Sequence, residues 1–456
     1  MVEKNISIPS PVVKVEHIVK PAEPTPNHVM YLTGCDQIQA VTHAPVVYFY
    51  HPTPTTLSEA ACRLKESLSK ALVVFYPVAG RVKCIEKGCL ELYCNGEGVL
   101  LVEAESEATL EDFGNFMPTP DVLQLIPTID LVAMPIAEVP LLVCQVTKFK
   151  CGGICVGTGI SHSIGDGQSC SHFIEEWSRI SRGESEIVTN IPYLDRRILE
   201  AVETSAELKF HHPEFDQPPL LIGNSDSLEE RKKRTTVDMI KISKDQVEKL
   251  KRRANENIVG DEACRFSRFE CLGGHVWRSA CKARGLSDEQ LSRLDIPANI
   301  RSRLIPKLPE NYFGNTIVRA AAFVKVRDLL NKPLSYAAHK LRETTENLTD
   351  EHIKSSLAYI RNIPDVSKYR SFHTAGCALG GFYGNPNMDI TSWMGLAMFG
   401  ADWGWGKEIY IGPAAVGMDG KFFILPTPDG DGSLYVLIRL QVEHMEAFLK
   451  YFYEDV

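Results

Sequence analysis

His162-Ser-Ile-Gly-Asp166-Gly167 is the segment of this sequence that decides its fold assignment. It follows an apolar run over residues 154–160, which predicts a buried strand, and it precedes residues 168–177, which predict a helix. The two glycines of the segment suit a tight turn between that strand and that helix. We therefore expect His162 to stand at a strand end, where a rigid scaffold can hold it beside a cavity.

The side chain of His162 has the chemistry of a general base. Imidazole titrates near neutral pH, so it can take a proton from an incoming hydroxyl or amine. Spacing alone leaves two other interpretations open. On a continuous helix, His162 and Asp166 would share one face and could bind a metal, although the glycines disfavour that helix. A histidine at a strand end can also be a satisfied structural residue.

A second, independent motif lies near the C-terminus, at Asp402-Trp-Gly-Trp-Gly406. Together the two motifs resemble those of the plant BAHD acyltransferases, which carry His-x-x-x-Asp-Gly at mid-chain and Asp-Phe-Gly-Trp-Gly far downstream. The resemblance covers nearly the whole chain. Further segments that look like family blocks are Tyr76-Pro-Val-Ala-Gly-Arg81, Phe269-Glu-Cys-Leu-Gly-Gly-His-Val-Trp277, Asn299-Ile-Arg-Ser-Arg303 and Tyr312-Phe-Gly-Asn315.

Strand and helix patterns alternate in both halves of the chain, which predicts an α/β or α+β fold with mixed sheets. The resemblance implies two similar-sized domains of the chloramphenicol-acetyltransferase type with a channel between them. We place an N-terminal domain at residues 1–210, carrying the His162 motif, and a C-terminal domain at residues 236–456, carrying the Asp402 motif. Residues 211–235 contain several prolines and a charge run, which predict an exposed crossover linker.

Composition narrows the class of protein. A chain of 456 residues with 44% hydrophobic and 23% charged residues is an ordinary globular protein, long enough for two domains. The net charge of −9 gives no basic face for nucleic acid, and no apolar run approaches the length of a membrane span. The 13 cysteines are scattered, which favours reduced thiols. We expect a cytoplasmic monomer that binds small molecules, without a nucleic-acid or membrane partner.

Acyl transfer from a thioester requires a base for the acceptor and a donor for the oxyanion. The resemblance implies that His162 is this base and that acyl-CoA is the co-substrate, with no permanently bound cofactor. Because coenzyme A leaves as a stable thiolate, neither a metal nor a covalent intermediate is needed. The sequence has no Gly-x-Ser-x-Gly elbow, so we do not expect a serine nucleophile.

Asp166 has two possible roles. It could form a dyad with His162, or its carboxylate could turn away and pair with an arginine that fixes the loop. The resemblance favours the second role, with Arg301 as the partner. Asp166 would then support the site structurally.

The Asp402 motif also has two interpretations. In the structural one, Gly404 and Gly406 form a tight turn that Asp402 pins to an arginine such as Arg303. In the functional one, the indole N–H of Trp405 lies near the oxyanion. The family pattern has phenylalanine where this chain has Trp403, and that exchange keeps an aromatic residue.

The phosphorylated adenosine end of coenzyme A is expected to bind basic and hydroxyl side chains. A basic cluster in the second half could supply them, and a solvated helix face is the alternative. By resemblance, the block around Ser267 lies where the family contacts coenzyme A. The predicted coenzyme A ligands are Arg265, Ser267, Arg252 and Arg253.

The acceptor is predicted from departures from the family pattern. Shikimate enzymes resemble one another in a Thr-Pro-Ser-Val-Tyr run, where this chain has Ala44-Pro-Val46-Val-Tyr48. They also carry an arginine that can grip a carboxylate after Thr-Ser-Trp, where this chain has Thr391-Ser-Trp-Met-Gly395. A buried carboxylate without a cation is costly, which disfavours shikimate and quinate.

The overall pattern resembles the spermidine hydroxycinnamoyltransferases, so we predict hydroxycinnamoyl transfer to spermidine or a related polyamine. We assign Tyr48, Thr391, Gly395 and Asp36 to the acceptor pocket, with Asp36 and Asp389 as candidate ammonium ligands. An alcohol acceptor is the alternative within the same chemistry. A non-catalytic binding protein is the alternative of another class, and a condensation-type domain would carry a second histidine where this chain has Ser161.

Overall fold

The computed structural model describes residues 8–131, 133–256, 265–370, 382–454 and 456. Its strands are β1 (Val12–Val19), β2 (His28–Met30), β3 (His43–Tyr50), β4 (Arg81–Cys84), β5 (Leu90–Cys94), β6 (Val99–Ser106), β7 (Leu142–Phe149), β8 (Ile154–Ser161), β9 (Thr235–Ile242), β10 (Leu291–Asn299), β11 (Ile317–Lys325), β12 (Met388–Ser392), β13 (Tyr410–Pro413), β14 (Lys421–Pro426) and β15 (Leu434–Gln441).

The helices occur in both halves of the chain. They are α1 (Gly34–Gln37), α2 (Leu57–Val74), α3 (Pro120–Leu123), α4 (Gly167–Ser181), α5 (Arg197–Ser205), α6 (Leu228–Lys232), α7 (Lys244–Asn255), α8 (Arg268–Ala283), α9 (Val326–Asn331), α10 (Leu334–Glu346), α11 (Asp350–Arg361), α12 (Ser367–Arg370) and α13 (Val442–Glu454). Over the described ranges, no helix has both the length and the apolar composition needed to cross a lipid bilayer.

The first sheet has six strands in the order β1-β6-β7-β8-β3-β13. Strand β8 is central and pairs antiparallel with both β7 and β3, so it is held on both edges. Helices α2 and α4 cover one face, where Leu64, Leu68, Phe173 and Trp177 are buried together. This packing makes β8 a rigid support for the residue that follows it.

The second sheet has six strands in the order β11-β10-β12-β14-β15-β9. Strands β14 and β15 pair antiparallel as a hairpin. Strand β12 pairs parallel with both β10 and β14, which sets residues far apart in sequence side by side. Helix α8 packs against α7, α10 and α13 on one face of this sheet. The mixed sheets confirm the predicted fold class.

One short strand crosses between the two halves. Strand β13 lies within residues 236–456 of the sequence, yet it pairs antiparallel with β3 at the edge of the first sheet, with Tyr410 opposite Phe49. The other five strands of the first sheet come from the N-terminal half, which also forms a three-stranded sheet in the order β2-β5-β4, and all six strands of the second sheet come from residues 235 onward. We propose that the domain division at residues 211–235 holds for the sheets, with β13 exchanged into the N-terminal domain.

Most of the connection at residues 211–235 is exposed, as expected of a linker, but buried residues anchor it at several points. His212, Glu214 and Glu230 are buried. Arg293 on β10 donates hydrogen bonds to main-chain oxygens of this segment, including that of Glu214 at 2.8 Å. The prolines exclude regular helix from residues 211–219, whereas α6 forms later in the connection. Buried polar contacts fix the path of the connection across the second sheet.

Candidate active site

His162 directly follows β8, as the sequence predicts. Its main-chain nitrogen donates to the Thr42 oxygen at 3.1 Å, and its main-chain oxygen accepts from Asn315 Nδ2 at 2.9 Å. Asn315 lies two residues before β11 in the other half of the chain. The His162 backbone is therefore held from both halves, while the residue as a whole is only partly buried.

Burial lowers the pKa of His162 below its ordinary value of 6.5. The charge of Lys421 lowers this pKa further, while a main-chain hydrogen bond, the charge of Asp166 and Asn315 oppose the shift. With its pKa lowered, the imidazole is neutral at pH 7. A neutral ring is the form that can accept a proton.

Asp166 and Arg301 form a bidentate ion pair between the two halves of the chain, as the resemblance implied. Arg301 donates from NH1 to Asp166 Oδ2 at 2.7 Å and from NH2 to Oδ1 at 3.0 Å. Both side chains are almost completely buried. A bidentate charge-assisted pair is among the strongest polar contacts available to a protein, so it joins the two halves at the His162 loop.

The remaining contacts of Asp166 are also structural. Its side chain accepts from the nitrogen of Ser169 as the cap of α4, and from the nitrogen and hydroxyl of Thr316, all at 3.0 Å. Burial raises the pKa of Asp166, but the charge and hydrogen bonds of Arg301 outweigh it, and the net pKa is below the ordinary value. Over the described residues, Asp166 makes no hydrogen bond to the His162 ring, so the dyad interpretation is wrong.

Asp36 is a second buried carboxylate beside the same loop, and it does not line an acceptor pocket. It pairs with Arg196 at 2.7 Å, and both side chains are almost fully buried. Asp36 Oδ1 also accepts from the main chain and the side chain of Asn315, each at 2.9 Å. Because these partners neutralise and enclose it, Asp36 cannot bind a substrate ammonium group, which corrects its assignment.

Arg196 and Asn315 therefore support the site in a way that the sequence reasoning did not find. Arg196 also donates to the main-chain oxygen of Ile164 at 2.7 Å, inside the turn that follows His162. Arg196 lies in a stretch without a recognised motif, whereas Asn315 ends a quoted one. The asparagine could have been found from that motif, but the arginine had no sequence signal.

The Asp402 motif is a closed turn. Asp402 Oδ1 accepts from the nitrogens of Gly404 and Gly406, at 2.7 and 3.0 Å, and both glycines have positive φ, +103° and +102°. A residue with a side chain would be strained at these angles. The predicted partner Arg303 instead donates to the Thr345 oxygen at 2.7 Å. The predicted Asp402–Arg303 pairing is therefore wrong, and Asp402 binds the main chain of its own turn instead.

Trp405 lies far from His162, which overturns its assignment as an oxyanion donor. Its ring packs edge-on against Tyr50, with centroids 5.9 Å apart. Tyr50 stands opposite Ile154, at the start of β8, whereas His162 follows the end of that strand. At about 3.3 Å per residue, this separation is about 25 Å along the strand. Trp405 therefore has a packing role.

The predicted acceptor residues differ in burial, since Tyr48 lies in the core and Gly395 is exposed. Tyr48 is 1% exposed and its ring packs against Trp403, so it offers no surface to a ligand. Ala44 and Val46 are half-buried on β3, and Ala44 stands opposite Ile160 near the His162 end. Gly395 is exposed, and a Cβ there would meet no neighbour within 4 Å.

A charged cluster occupies the face of the second sheet opposite its helices. Asp389 on β12 pairs with Lys421 on β14 through Oδ1 and with Arg319 on β11 through Oδ2, the latter at 2.8 Å. Lys421 Nζ also donates to Thr391 Oγ1 at 2.6 Å. Burial raises the pKa of Asp389, yet the two cations bring it to about 2. Asp389 is already neutralised, so its assignment as an ammonium ligand is also wrong.

The predicted coenzyme A ligands gather at the C-terminal end of α7. Arg252 and Arg253 are exposed in its last turn, and Arg265 is exposed beside Phe266, whose nitrogen donates to Asn255 Oδ1 at 2.7 Å. Ser267 caps α8 by accepting from the Glu270 nitrogen. These arginines suit the C-terminal end of a helix, and their role toward coenzyme A stays a prediction.

A different group of residues has the composition of a metal site. Within the described chain, the side-chain donor atoms of His212, Glu214 and His352 lie within 4.8 Å of one another. Both ring nitrogens of His212 already have partners, Glu214 Oε1 and Ser355 Oγ, each at 2.9 Å. This group fastens the interdomain connection to α11, and it is separate from the His162 loop.

Comparisons with known proteins agree with these motifs. A sequence model described as the Transferase family matches residues 12–455. The chain is 44% identical over 452 residues to a hydroxycinnamoyl-CoA:piscidic acid hydroxycinnamoyltransferase of Actaea racemosa, covering 97% of this chain and 99% of the relative. It is 41% identical over 445 residues to a shikimate O-hydroxycinnamoyltransferase of Nicotiana tabacum, with the same coverage of both chains. An Avena sativa hydroxycinnamoyl-CoA:5-hydroxyanthranilate N-hydroxycinnamoyltransferase is 37% identical over 452 residues, again with this coverage.

Solved structures share the fold at low sequence identity. Vinorine synthase superposes with a TM-score of 0.70 at 22% identity, covering 96% of each chain. TRI101 of F. graminearum, complexed with coenzyme A and deoxynivalenol, superposes with a TM-score of 0.75 at 16% identity, covering 92% of this chain and 96% of the other. At these identities the superpositions establish the architecture alone.

Proposed function

The chain belongs to the Transferase family of BAHD acyltransferases, and on this premise we propose that it transfers a hydroxycinnamoyl group from coenzyme A to a small nucleophilic acceptor. It is an enzyme of the acyltransferase class. Acyl-CoA is its co-substrate rather than a resident cofactor. The names of the Actaea, tobacco and oat relatives all specify hydroxycinnamoyl transfer, which supports this acyl group.

The reaction requires one proton acceptor placed beside the thioester. His162 takes the proton of the acceptor hydroxyl or amine as its oxygen or nitrogen forms a bond to the thioester carbonyl carbon. The tetrahedral intermediate then collapses, the carbon–sulfur bond breaks, and coenzyme A leaves with that electron pair. The imidazolium returns its proton to the thiolate or to water, which restores the neutral base. No acyl-enzyme forms in this sequence.

The observation that carries this proposal is the way in which both halves of the chain hold His162. Asn315 binds its main-chain oxygen, while Arg301 fixes the following loop through Asp166. The pKa of the ring is lowered, chiefly by burial, so that the neutral form predominates at pH 7. A base positioned at the contact between two halves can meet a donor and an acceptor that enter from different sides.

The chemical class of the acceptor, a polyamine or an acid, is a separate part of the proposal. The spermidine prediction remains untested, but its two candidate carboxylates, Asp36 and Asp389, are already paired with arginine or lysine. The relatives are named for piscidic acid, shikimate and 5-hydroxyanthranilate, and each of these acceptors carries a carboxyl group. These names support an acceptor that is a small acid.

The experiment is free-thiol release from p-coumaroyl-CoA and caffeoyl-CoA with shikimate, piscidic acid, spermidine and a neutral alcohol as acceptors. We expect acceptor-dependent release that falls about 10²- to 10⁴-fold in His162→Ala, because a general base contributes that factor. His172→Ala is the matched control, since His172 lies on α4 and is bonded to the Asn190 oxygen. Full activity of His162→Ala with an unchanged acceptor requirement would exclude the mechanism.

A further inference from the structure

We propose that Lys421 is the binding residue for a carboxylate of the acceptor, so that the enzyme acylates small hydroxy acids or amino acids. The inference rests on the proposed acyltransferase function and adds the chemical class of the acceptor. It concerns a lysine that the sequence motifs do not contain.

The position of Lys421 follows from the alternation of the second sheet. On β14, Phe422 and Ile424 are buried in the helix-covered core, so Lys421 and Phe423 point to the opposite face. On β12, Ile390 belongs to that core, which places Asp389 and Thr391 beside Lys421.

The same face of this sheet meets the His162 loop. On β10, Ile296 and Ala298 belong to the helix-covered core, so Asn299 points to the opposite face, which also carries Lys421. Asn299 Nδ2 donates to Gln168 Oε1 at 2.7 Å, at the start of α4. Phe423, next to Lys421 on this face, packs against a cluster that contains Phe49 of the first sheet. Lys421 therefore stands between the two halves rather than on the outer surface.

The cluster holds more cations than one carboxylate can neutralise. Asp389 gives one oxygen to Lys421 and the other to Arg319. The neighbouring carboxylate, Asp295, is occupied by Arg293 at 2.5 Å. Of the side chains named here, Lys421, Arg319 and Arg293 share two carboxylates, those of Asp389 and Asp295. An anion at Lys421 would balance the charge, whereas a polyamine would increase the imbalance.

The ammonium group of Lys421 is available to a ligand. It has three donors, and its protein acceptors are Asp389 and Thr391, so one donor has no acceptor over the described part of the chain. Its side chain is 17% exposed, against 3% for Asp389. The two fixed contacts orient the group, which reduces the ordering needed when a carboxylate binds.

Electrostatic coupling between Lys421 and His162 supports their proximity. The Lys421 charge is one of the causes that lower the pKa of His162. Burial lowers the pKa of Lys421 itself, and the charge of Asp389 opposes this shift. A carboxylate bound to Lys421 would therefore lie on the side of the second sheet that faces the His162 loop.

The test compares each acid with its own methyl ester, because the pair shares the nucleophile and differs in charge. With p-coumaroyl-CoA as donor, thiol release is measured for shikimate, malate and phenylalanine, for their methyl esters, and for spermidine. We expect at least one acid to exceed its ester about 10- to 100-fold in kcat/KM, the factor expected for a hydrogen bond to a charged group. In Lys421→Met this ratio should approach one, because the acid rates should fall more than the ester rates, with the KM for p-coumaroyl-CoA unchanged.

Two further variants separate charge from structure. Lys421→Arg keeps the cation and should retain the preference for acids. Lys241→Met removes an exposed lysine of the same sheet, paired with Asp429, and should change nothing. Esters or spermidine reacting faster than the acids in the wild type, or equal losses for acid and ester in Lys421→Met, would overturn the proposal.

A binding measurement distinguishes failure of this inference from failure of the acyltransferase function. Calorimetric titration of the acids into the His162→Ala protein with coenzyme A needs no turnover. Acid binding that Lys421→Met abolishes would support the subsite even if no thiol were released. If the wild type releases thiol but the His162→Ala protein binds acid and ester equally, the function stands and the carboxylate subsite is refuted.

Discussion

The side-chain nitrogen of Asn315 donates a hydrogen bond to the main-chain oxygen of His162 at 2.9 Å, across the boundary between the two sheets. The same nitrogen also donates to Asp36 Oδ1 at 2.9 Å, and Asp36 is paired with Arg196. The backbone of the proposed base is thus positioned by a buried ion pair that never touches its ring.

Asn315→Ala should reduce kcat about 10- to 100-fold with little change in KM, because a small displacement of the base costs rate more than binding. Steady-state thiol release measures both constants. Asn311→Ala is the matched control, since Asn311 bonds to the Ile191 oxygen in an exposed part of the same loop. A rise in KM alone would argue against a positioning role.

Asp166→Asn should lower the free energy of unfolding by about 3–5 kcal/mol, because it leaves the buried Arg301 without its counter-charge. Urea unfolding followed by fluorescence measures this change, and the activity of the variant should fall with it. The exposed pair of Asp195 and Arg197 offers a control, and Asp195→Asn should have a small effect. A stable and fully active Asp166→Asn protein would refute the role assigned to this contact.

The Asp166–Arg301 pair also predicts an acid dependence of stability. The pKa of Asp166 is lower in the folded chain than its ordinary value of 3.8. Its contribution is therefore complete above pH 3.8 and is lost as the pH falls through the folded pKa. Thermal melting between pH 5 and pH 2 should show a steeper acid loss for the wild type than for Asp166→Asn.

The pH profile of kcat/KM should lose activity below pH 6.5, because burial and Lys421 lower the pKa of His162 and the imidazole must be neutral to act. In Lys421→Met one cation is gone, so the His162 pKa should rise and the acidic limb should move to higher pH. A neutral methyl ester acceptor keeps acceptor binding out of this measurement. An acidic limb above pH 6.5 in the wild type would contradict the environment described for the ring.

Asp402→Ala should lower the free energy of unfolding by about 1–2 kcal/mol while leaving kcat nearly unchanged, because two main-chain donors lose their acceptor about 25 Å from the base. Melting temperature and thiol release together test this separation. Arg303→Ala is informative as a comparison, since Arg303 binds the Thr345 oxygen instead of this turn. A large loss of kcat in a well-folded Asp402→Ala protein would restore a catalytic role for the motif.

The sequence indicated the parts of the site that are local or carry a motif. The strand before His162 and the helix after Gly167 follow from the apolar pattern, and the Asp166–Arg301 contact follows from the family resemblance. The predictions failed where the local sequence fits two different hydrogen-bond partners equally well. Nothing in the sequence around Asp402 tells whether its carboxylate binds a distant arginine or the nearest main-chain nitrogens.

Lys421 was missed for a different reason. In sequence it is one lysine at the start of an apolar strand, which is an ordinary pattern. Its partner Asp389 lies 32 positions earlier, and the two meet only because β12 and β14 pair in parallel with a particular register. Long-range register of this kind depends on the packing of the whole sheet, which periodicity does not specify.

The exchanged strand β13 limits how this protein can be cut or recombined. A fragment that ends before residues 410–413 would leave β3 with a bare edge, and such edges recruit strands from other molecules and promote aggregation. A chimera that takes one half from a related enzyme should therefore take residues 410–413 from the same parent as β3. A gene fusion joined only within residues 211–235 would pair β13 of one enzyme with β3 of another.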